Sequence, residues 1–226
     1  MPLKTLLKKI AYYILLSVRS GPLKGYRWIA GSGIKFIKGN YELETVDFLE
    51  SNIKQGATCY DIGGHVGYIS LIMGKLAGKS GKVFTFEPRP INISYIERHI
   101  SMNHIGNVSL LKTGLSNYEG SAKFDLDTGT GMGKIANNGT LEIKVQSLDT
   151  LYEKGEIDGP NFIKMDIEGE EVKALKGAEK LLKKYMPVLN ISTHGEDIHE
   201  KCMEFIKSLG YQKVQNFPGG IIAVNT

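Results

Sequence analysis

The stretch that most constrains this chain is C-Y-D-I-G-G-H-V-G-Y, residues 59–68, where an apolar strand passes through a glycine-rich turn into a helix. Gly63, Gly64 and Gly67 stand where the backbone would pass close to another group, because glycine has no side chain to block that approach. Backbone amides at the start of a helix often bind a ligand. The stretch therefore predicts an α/β fold with a ligand at this turn.

Strands and helices alternate from Ala57 onward, which predicts parallel strands joined by right-handed helical crossovers. Strands are expected at 57–62, 82–87, 108–112, 161–167 and 187–193, and helices at 66–76, 90–103, 170–184 and 197–209. Two shorter strands, 122–126 and 141–145, are expected to form a hairpin around a glycine-rich loop near the mouth of the site. The last two strands, 211–217 and 221–225, must be antiparallel because so short a turn joins them. The fold class predicted is α/β, a mostly parallel twisted sheet with helices on both faces and a C-terminal antiparallel hairpin.

The first 56 residues are expected to form an N-terminal cap segment before the main domain at 57–226. Apolar residues recur at helical spacing from Leu3 to Val18, which predicts a basic amphipathic helix. We also expect a short strand at 34–37 and a helix at 44–53. Residues 1–28 carry six basic side chains and no acid, whereas the rest of the chain carries 22 basic and 24 acidic side chains. This distribution disfavours a nucleic-acid partner.

Two interpretations of the basic segment remain open, packing on protein and peripheral contact with a membrane through residues 1–28. Its apolar stretch, residues 10–16, is too short to cross a bilayer. The two cysteines, Cys59 and Cys202, have no metal-binding spacing and suit a reducing compartment, so we expect a cytoplasmic protein with both as small core residues. A homo-oligomer is left open.

Charged residues at the strand ends indicate the ligand. Glu87 ends the second strand, 20 residues after Gly67, where an acid can accept hydrogen bonds from both hydroxyls of a ribose. The G-x-G-x-x-G spacing of dinucleotide sites is broken by His65, and Asp61 would repel a pyrophosphate. Asp61 would instead favour an ammonium or a sulfonium. S-adenosylmethionine carries both of these cations and no phosphate.

The chain resembles the FkbM-like, S-adenosylmethionine-dependent methyltransferases. The resemblance rests on an ordered set of motifs: Y-D-I-G-G-H-V-G-Y (60–68), F-T-F-E-P-R-P-I-N (84–92), N-V-S-L-L-K-T-G-L-S-N-Y-E-G (107–120), F-I-K-M-D-I-E-G-E-E (162–171) and A-L-K-G-A (174–178). Weaker similarity extends to G-P-L-K-G-Y-R-W (21–28) and G-N-Y-E (39–42). The family usually has Ala and Asn where this chain has Gly64 and His65, and a small or aromatic residue in place of Glu170.

The resemblance implies a Rossmann-like methyltransferase fold, with residues 57–226 as the domain that binds S-adenosylmethionine. The glycine turn would wrap the methionine part of the cofactor, Glu87 would hold the ribose, and Thr113 to Leu115 would border the adenine. The cofactor-binding residues implied in this way are Tyr41, Glu42, Asp61, Ile62, Gly63, Gly64, His65, Gly67, Glu87, Pro88, Thr113, Gly114, Leu115 and Asp166.

The activity implied is methylation of a hydroxyl on a small molecule, for which we consider a sugar or a glycolipid precursor. A protonated hydroxyl is a poor nucleophile and requires a general base or a metal. Asp166 and His194 end adjacent strands and could face the acceptor together with Glu168, so these three are the candidate catalytic residues. The same three side chains could hold Mg²⁺, although the sequence does not favour a metal.

Two other functions remain open at this stage. One is a nicotinamide-dependent oxidoreductase, which the broken glycine spacing and the lack of a Y-x-x-x-K pair disfavour. The other is a non-catalytic cofactor-binding module whose function lies in a partner contacted by residues 1–28.

Overall fold

A computed structural model of the protein describes residues 10–126, 133–135 and 139–225. The strands are β1 Leu15–Ser17, β2 Arg27–Ile29, β3 Thr58–Ile62, β4 Lys82–Phe86, β5 Val108–Leu111, β6 Gly114–Leu115, β7 Gly120–Asp125, β8 Lys134–Ile135, β9 Leu141–Gln146, β10 Phe162–Met165, β11 Val188–Ser192, β12 Lys213–Phe217 and β13 Gly220–Val224. The α-helices are Ile34–Lys38, Leu43–Asn52, Tyr68–Ala77, Pro90–Met102, Leu148–Glu153, Glu171–Lys176, Glu179–Tyr185 and Glu196–Ser208, and Ala30–Ser32 forms a 3₁₀ turn.

Seven strands form the main sheet in the order β12-β13-β11-β10-β3-β4-β5. The five strands from β11 to β5 pair in parallel, whereas β13 pairs antiparallel with both β11 and β12. The predicted α/β fold with a C-terminal antiparallel hairpin is therefore confirmed. From β3 the chain builds outward through β4 and β5, and it then returns to place β10 on the other side of β3. This reversal of strand order is where open α/β sheets bind their ligands.

Apolar side chains bury both faces of the main sheet. One face packs Ile163 and Leu189 with the C-terminal helices, and the other packs Cys59 and Leu71 with the N-terminal segment, including the fully buried Trp28. Cys202 is buried in the first of these cores, so both cysteines are small core residues, as expected. The division of the chain after residue 56 stays a prediction.

The expected hairpin of 122–126 and 141–145 is present, because β7 pairs antiparallel with β9. It belongs to a second sheet of order β6-β9-β7-β8, in which β6 and β8 were not predicted. Most of the glycine-rich loop expected between the strands, 127–132 and 136–138, lies outside the described residues. Among its described residues, β8 pairs with β7.

The predicted N-terminal helix is wrong beyond its first described turn. Ile10 and Ala11 are helical, but β1 is extended and pairs antiparallel with β2. Pairing with a distant segment outweighs the local helical spacing here. The expected strand at 34–37 is also wrong, because Ile34–Lys38 is a helix that buries Phe36 and Ile37. None of the helices in the described ranges is both long and apolar enough to cross a membrane.

The long helix predicted at 170–184 is two helices that meet at Gly177. A side chain there would put its Cβ 2.1 Å from the backbone oxygen of Ser116. The second helix has its own N-terminal cap, because Asp149 accepts hydrogen bonds from the amides of Lys180 and Leu181 at 3.0 and 2.9 Å. Because an acid can cap a helix from another part of the chain, the sequence of the helix alone did not reveal the break.

Candidate functional site

The glycine turn and the end of β10 lie side by side at the reversal of strand order. Asp61 on β3 lies beside Lys164 on β10 in the parallel register, and the Asp166 amide donates to the carbonyl of Ile62 at 2.9 Å. The amides of Gly63 and Gly64 donate to the carbonyl of Phe86, which holds the turn against β4. Gly63, His65 and Gly67 have φ angles of 88°, 50° and 88°, the left-handed region that glycine adopts most readily.

These strand ends enclose a cavity of about 440 Å³. Of the residues predicted to bind the cofactor, all but Gly67 line it; Gly67 instead precedes the helix Tyr68–Ala77. Of the predicted catalytic residues, Asp166 and Glu168 line the cavity and His194 does not. The lining residues taken from the prediction are Tyr41, Glu42, Asp61, Ile62, Gly63, Gly64, His65, Glu87, Pro88, Thr113, Gly114, Leu115, Asp166 and Glu168.

Sequence reasoning missed several lining residues. Two of them, Arg89 and Asn92, follow Glu87 within the motif F-E-P-R-P-I-N and could have been included on that basis. Lys164 precedes Asp166 by two positions, and alternation along a strand puts such residues on one face. Lys35 and Phe36 come from a segment predicted to be a strand. The remaining lining residues, which were not among those predicted to bind the cofactor or to act in catalysis, are Tyr68, Ile69, Phe86, Phe124, Gly133, Ile135, Ile143, Ile167 and Glu170.

Glu87 sits beneath the glycine turn with its carboxylate held by two backbone amides. Oε2 accepts from the amide of His65 at 2.8 Å, and Oε1 accepts from the amide of Arg89 at 2.9 Å. Burial raises the pKa of Glu87 to about 7, against the opposing effect of these hydrogen bonds. Each carboxylate oxygen can accept a second hydrogen bond. The side chain therefore suits a ligand with two neighbouring hydroxyls.

Asp61 is fully buried and only partly satisfied. Oδ2 accepts from the Ser70 hydroxyl at 2.5 Å, while Oδ1 has no hydrogen-bond partner among the described residues. Burial raises the pKa of Asp61, and the nearby Lys164 ammonium opposes this shift. A buried acceptor without a partner is costly to the folded state unless a ligand supplies a donor. An ammonium group from a bound molecule would fit that requirement.

Lys164 is a buried cation between two acids. Its Nζ lies 3.2 Å from Oδ2 of Asp166, with side-chain exposures of 5% and 27%. Burial works to lower the pKa of Lys164, but Asp166 and Asp61 outweigh it and raise that pKa. The same ammonium lowers the pKa of Asp166. Asp166 is therefore an ionised carboxylate in the cavity wall.

His194 joins Asp166 and Glu168 in one cluster at the edge of the cavity. Its Nε2 lies 3.4 Å from Oδ1 of Asp166 and 3.5 Å from Oε2 of Glu168. On the opposite side of the ring, Nδ1 lies 2.8 Å from Oε1 of the fully buried Glu171. The hydrogen bond to Glu171, followed by the neighbouring carboxylates, raises the pKa of His194. The structure thus brings the three predicted catalytic side chains together.

Three known proteins are similar to this chain. A hexuronic acid methyltransferase, AglP, from Haloferax volcanii is 31% identical over 143 residues, which cover 62% of this chain and 58% of that protein. A crystal structure of Methyltransferase FkbM from Methylobacillus flagellatus KT matches with a TM-score of 0.54 and 19% identity, over 79% of this chain and 49% of that one. Fibrillarin from Aeropyrum pernix, solved with natively bound S-adenosyl-L-methionine, matches with a TM-score of 0.52 and 10% identity, over 80% and 74%.

The two structural likenesses support the fold alone. The chain spans about half the length of the FkbM structure and 58% of AglP. The FkbM methyltransferase domain matches residues 61–213, a range that contains Asp61, Glu87, Asp166 and His194. This match covers more than half of the sequence, and the strand order and the motifs around the cavity agree with it. The chain belongs to the FkbM methyltransferase domain family.

Proposed function

We propose that the protein transfers a methyl group from S-adenosylmethionine to a hydroxyl of a small molecule, and that the acceptor is a sugar. The observation that carries this proposal is the pair of buried acids on either side of the glycine turn. Asp61 offers an unpartnered oxygen suited to an ammonium, and Glu87 offers open acceptor positions suited to a ribose. Both face one cavity, and the donors that they require occur together in this cofactor.

Different residues of the cavity would bind different parts of the cofactor. Asp61 and the turn at Gly63 to His65 would hold its amino-acid end, Glu87 the ribose, and Thr113 to Leu115 the adenine. S-adenosylmethionine, when bound, supplies an activated methyl group on a sulfonium sulfur. The acidic cluster at the end of β10 lies on the same cavity and favours a cation nearby.

The reaction at this site would be an in-line displacement. A bond forms between the acceptor oxygen and the methyl carbon while the bond between carbon and sulfur breaks, and the sulfur keeps the electron pair. The hydroxyl proton must leave, and the cluster of Asp166, Glu168 and His194 is where the acceptor would be activated. Fixing the two reactants in line supplies much of the rate, equivalent to effective molarities of roughly 10⁵ M or more in model reactions.

Two residues of the cavity wall support a sugar as the acceptor. Lys35 is exposed, its Nζ lies 4.1 Å from the centre of the Tyr41 ring, and both residues line the cavity. An aromatic ring can pack against the apolar face of a sugar, and an exposed ammonium can pair with a carboxylate. Because AglP is named for hexuronic acid, a hexuronic acid is the first acceptor to test.

We further propose that the protein works in the cytoplasm, with residues 1–28 as a basic segment that can contact a membrane surface. Exposed apolar side chains in its described part support this contact: Ile10, Tyr13, Ile14, Leu15 and Leu16. Sedimentation with anionic and neutral vesicles tests it, since binding confined to anionic vesicles is expected. Equally poor binding to both would contradict it. Light scattering measures the mass of the free protein in solution and so distinguishes a monomer from a homo-oligomer.

Calorimetric titration with S-adenosylmethionine and with S-adenosylhomocysteine tests the cofactor. We expect saturable binding of both ligands, lost in Glu87→Ala and retained in Glu97→Ala. Glu97 is a suitable control because it lies outside the cavity and pairs with Lys112 at an exposed surface site. Transfer of labelled methyl groups to a panel of sugars, including hexuronic acids, then tests the acceptor. If neither cofactor form bound, the proposal would be wrong.

A further inference from the structure

The spacing of Asp166, Glu168 and His194 matches a set of ligands around one cation. One oxygen of each carboxylate and Nε2 of His194 all lie within 4.8 Å of one another. The two contacts to Nε2, 3.4 and 3.5 Å, are longer than good hydrogen bonds of this type. Two ligands at about 2.1 Å from one metal ion are about 3.0 Å apart at a right angle and about 3.4 Å apart at the tetrahedral angle.

Glu171 prepares the imidazole for this role. It is fully buried, and its Oε1 accepts hydrogen bonds from His194 Nδ1 at 2.8 Å and from the Gly169 amide at 3.1 Å. With the proton fixed on Nδ1, the lone pair of Nε2 is directed towards the two carboxylates. A carboxylate that holds the outer nitrogen of a histidine is the usual support of a metal-binding imidazole.

The excess of negative charge around Asp166, Glu168 and His194 also favours a bound cation. Asp166, Glu168 and Glu171 lie together, and Lys164 is the cation that pairs with Asp166. The second oxygen of Glu171 is buried without a hydrogen-bond partner in the described part of the chain. Glu171 is the residue that holds His194 Nδ1, so its unpartnered oxygen lies next to the proposed ligands. This observation is separate from the spacing of the three ligand atoms. A bound cation would offset this local excess of negative charge.

We propose that Asp166, Glu168 and His194 bind one divalent transition-metal ion at the edge of the cavity. The imidazole ligand favours a transition ion over Mg²⁺, which prefers a shell of oxygen atoms. Binding of the ion is independent of the proposed methyl transfer, whereas its catalytic use rests on that function. There the ion would bind the acceptor oxygen and lower the pKa of its hydroxyl, and the released proton would pass to water.

Titration of the chelator-treated full chain with Mn²⁺, followed by electron paramagnetic resonance and calorimetry, tests the site. We expect one bound ion per chain, with a pulsed-resonance modulation from a coordinated nitrogen. His194→Ala should remove that nitrogen signal and weaken binding by at least about tenfold. His199→Ala is the matched control, because His199 contacts Thr193 and Asn216 rather than this cluster. It should bind Mn²⁺ as the unmodified chain does.

Equal Mn²⁺ binding by the unmodified chain and His194→Ala would overturn the proposal, as would a bound ion without the nitrogen signal. Should His194→Ala fail to fold, Glu168→Gln gives a second test: it removes one charge from the ligand set and should weaken Mn²⁺ binding, and unchanged binding would overturn the proposal. Calorimetry with S-adenosylhomocysteine in the presence of chelator separates the two proposals. Cofactor binding without metal binding would leave the proposed function standing, and metal binding without cofactor binding would overturn that function alone.

Discussion

His99 stacks on Trp28, with the two ring centroids 3.7 Å apart and the ring planes at 16° to each other. The imidazole accepts a hydrogen bond at Nε2 from the Ile29 amide at 3.1 Å, so its Nδ1 carries the proton and donates to the carbonyl of Val66 at 2.8 Å. This neutral ring therefore ties β2 to the glycine turn. His99 is fully buried although it lies in the last turn of the helix Pro90–Met102.

Acid should destabilise the protein through His99. Burial lowers the pKa of His99 to about 4, below the usual value of about 6.5 in an unfolded chain. Its contribution to stability is therefore fully present above pH 6.5 and is lost as the pH falls through 4. The shift corresponds to roughly 3 kcal/mol. Urea unfolding at pH 7.5, 6, 5 and 4 measures the effect.

His99→Gln is the informative variant for this prediction. It should be less stable than the unmodified chain at pH 7.5, because a glutamine has no aromatic ring to stack on Trp28 while its amide replaces the two hydrogen bonds of the imidazole. Its stability should fall less between pH 6.5 and 4, because the titrating group is gone. His104→Ala, at an exposed site just after the helix that carries His99, should keep the full pH dependence. An unchanged pH profile in His99→Gln would show that other groups control acid unfolding.

Thr85 explains why residue 64 of this chain is a glycine. A Cβ on Gly64 would lie 2.3 Å from the Cγ2 methyl of Thr85, which is fully buried on β4. Gly64→Ala should therefore destabilise the protein by about 1–3 kcal/mol, the usual cost of overpacking a core. Chemical unfolding of the purified variant checks this value.

A second substitution separates the clash from any other role of the glycine. Thr85→Ser removes only the methyl group that a new Cβ would meet. In the double variant, Gly64→Ala should cost at least about 1 kcal/mol less than it does alone. If the two effects were simply additive, the contact with Thr85 would not be the reason for the glycine.

The sequence predicted those elements whose period is unbroken and whose ends carry a turn signal. Strand β3, the glycine turn and the helix after it were foreseen because Gly63 and Gly67 adopt the positive φ angles that end one element and begin the next. Strand β1 was not predicted, because its apolar residues are spaced as in a helix and it is the pairing with β2 that makes the segment extended. Pairing with a strand elsewhere in the chain cannot be read from the few residues of the strand itself.

The acids of the site were predicted from their positions at or near strand ends, whereas the buried cation between two of them was missed. Asp61 is the second-last residue of β3, Glu87 and Asp166 directly follow β4 and β10, and all three line the cavity, as expected. Lys164 lies within a fully buried strand, where its partner on the neighbouring strand is set by the register and not by the local sequence. The support of His194 by Glu171 likewise depends on how a helix and a strand meet in space.

Lys164→Met should cost the protein much of its stability. The ammonium balances Asp61 and Asp166, and removing one partner of a buried pair costs about 3–5 kcal/mol. The second substitution Asp166→Asn should restore part of that loss in the double variant. Lys82→Met, which breaks only an exposed pair with Asp158, should change stability by about 1 kcal/mol or less. Urea unfolding at pH 7 compares the four proteins, and equal losses at Lys164 and Lys82 would contradict the prediction.

Affinity for the cofactor should depend on pH through Glu87. Burial raises the pKa of Glu87 to about 7, so in the free protein this side chain favours stability below about pH 4.5, and that contribution is lost as the pH rises through 7. Ribose hydroxyls donate to an ionised carboxylate, so binding of S-adenosylhomocysteine should weaken as the pH falls below 7, by up to about tenfold per pH unit. Calorimetry between pH 5.5 and 8.5 gives the profile. Glu87→Gln should bind more weakly at pH 8, by about 10- to 100-fold, and should show no such dependence, because an amide does not titrate. A parallel decline in both proteins would place the titrating group elsewhere in the cavity.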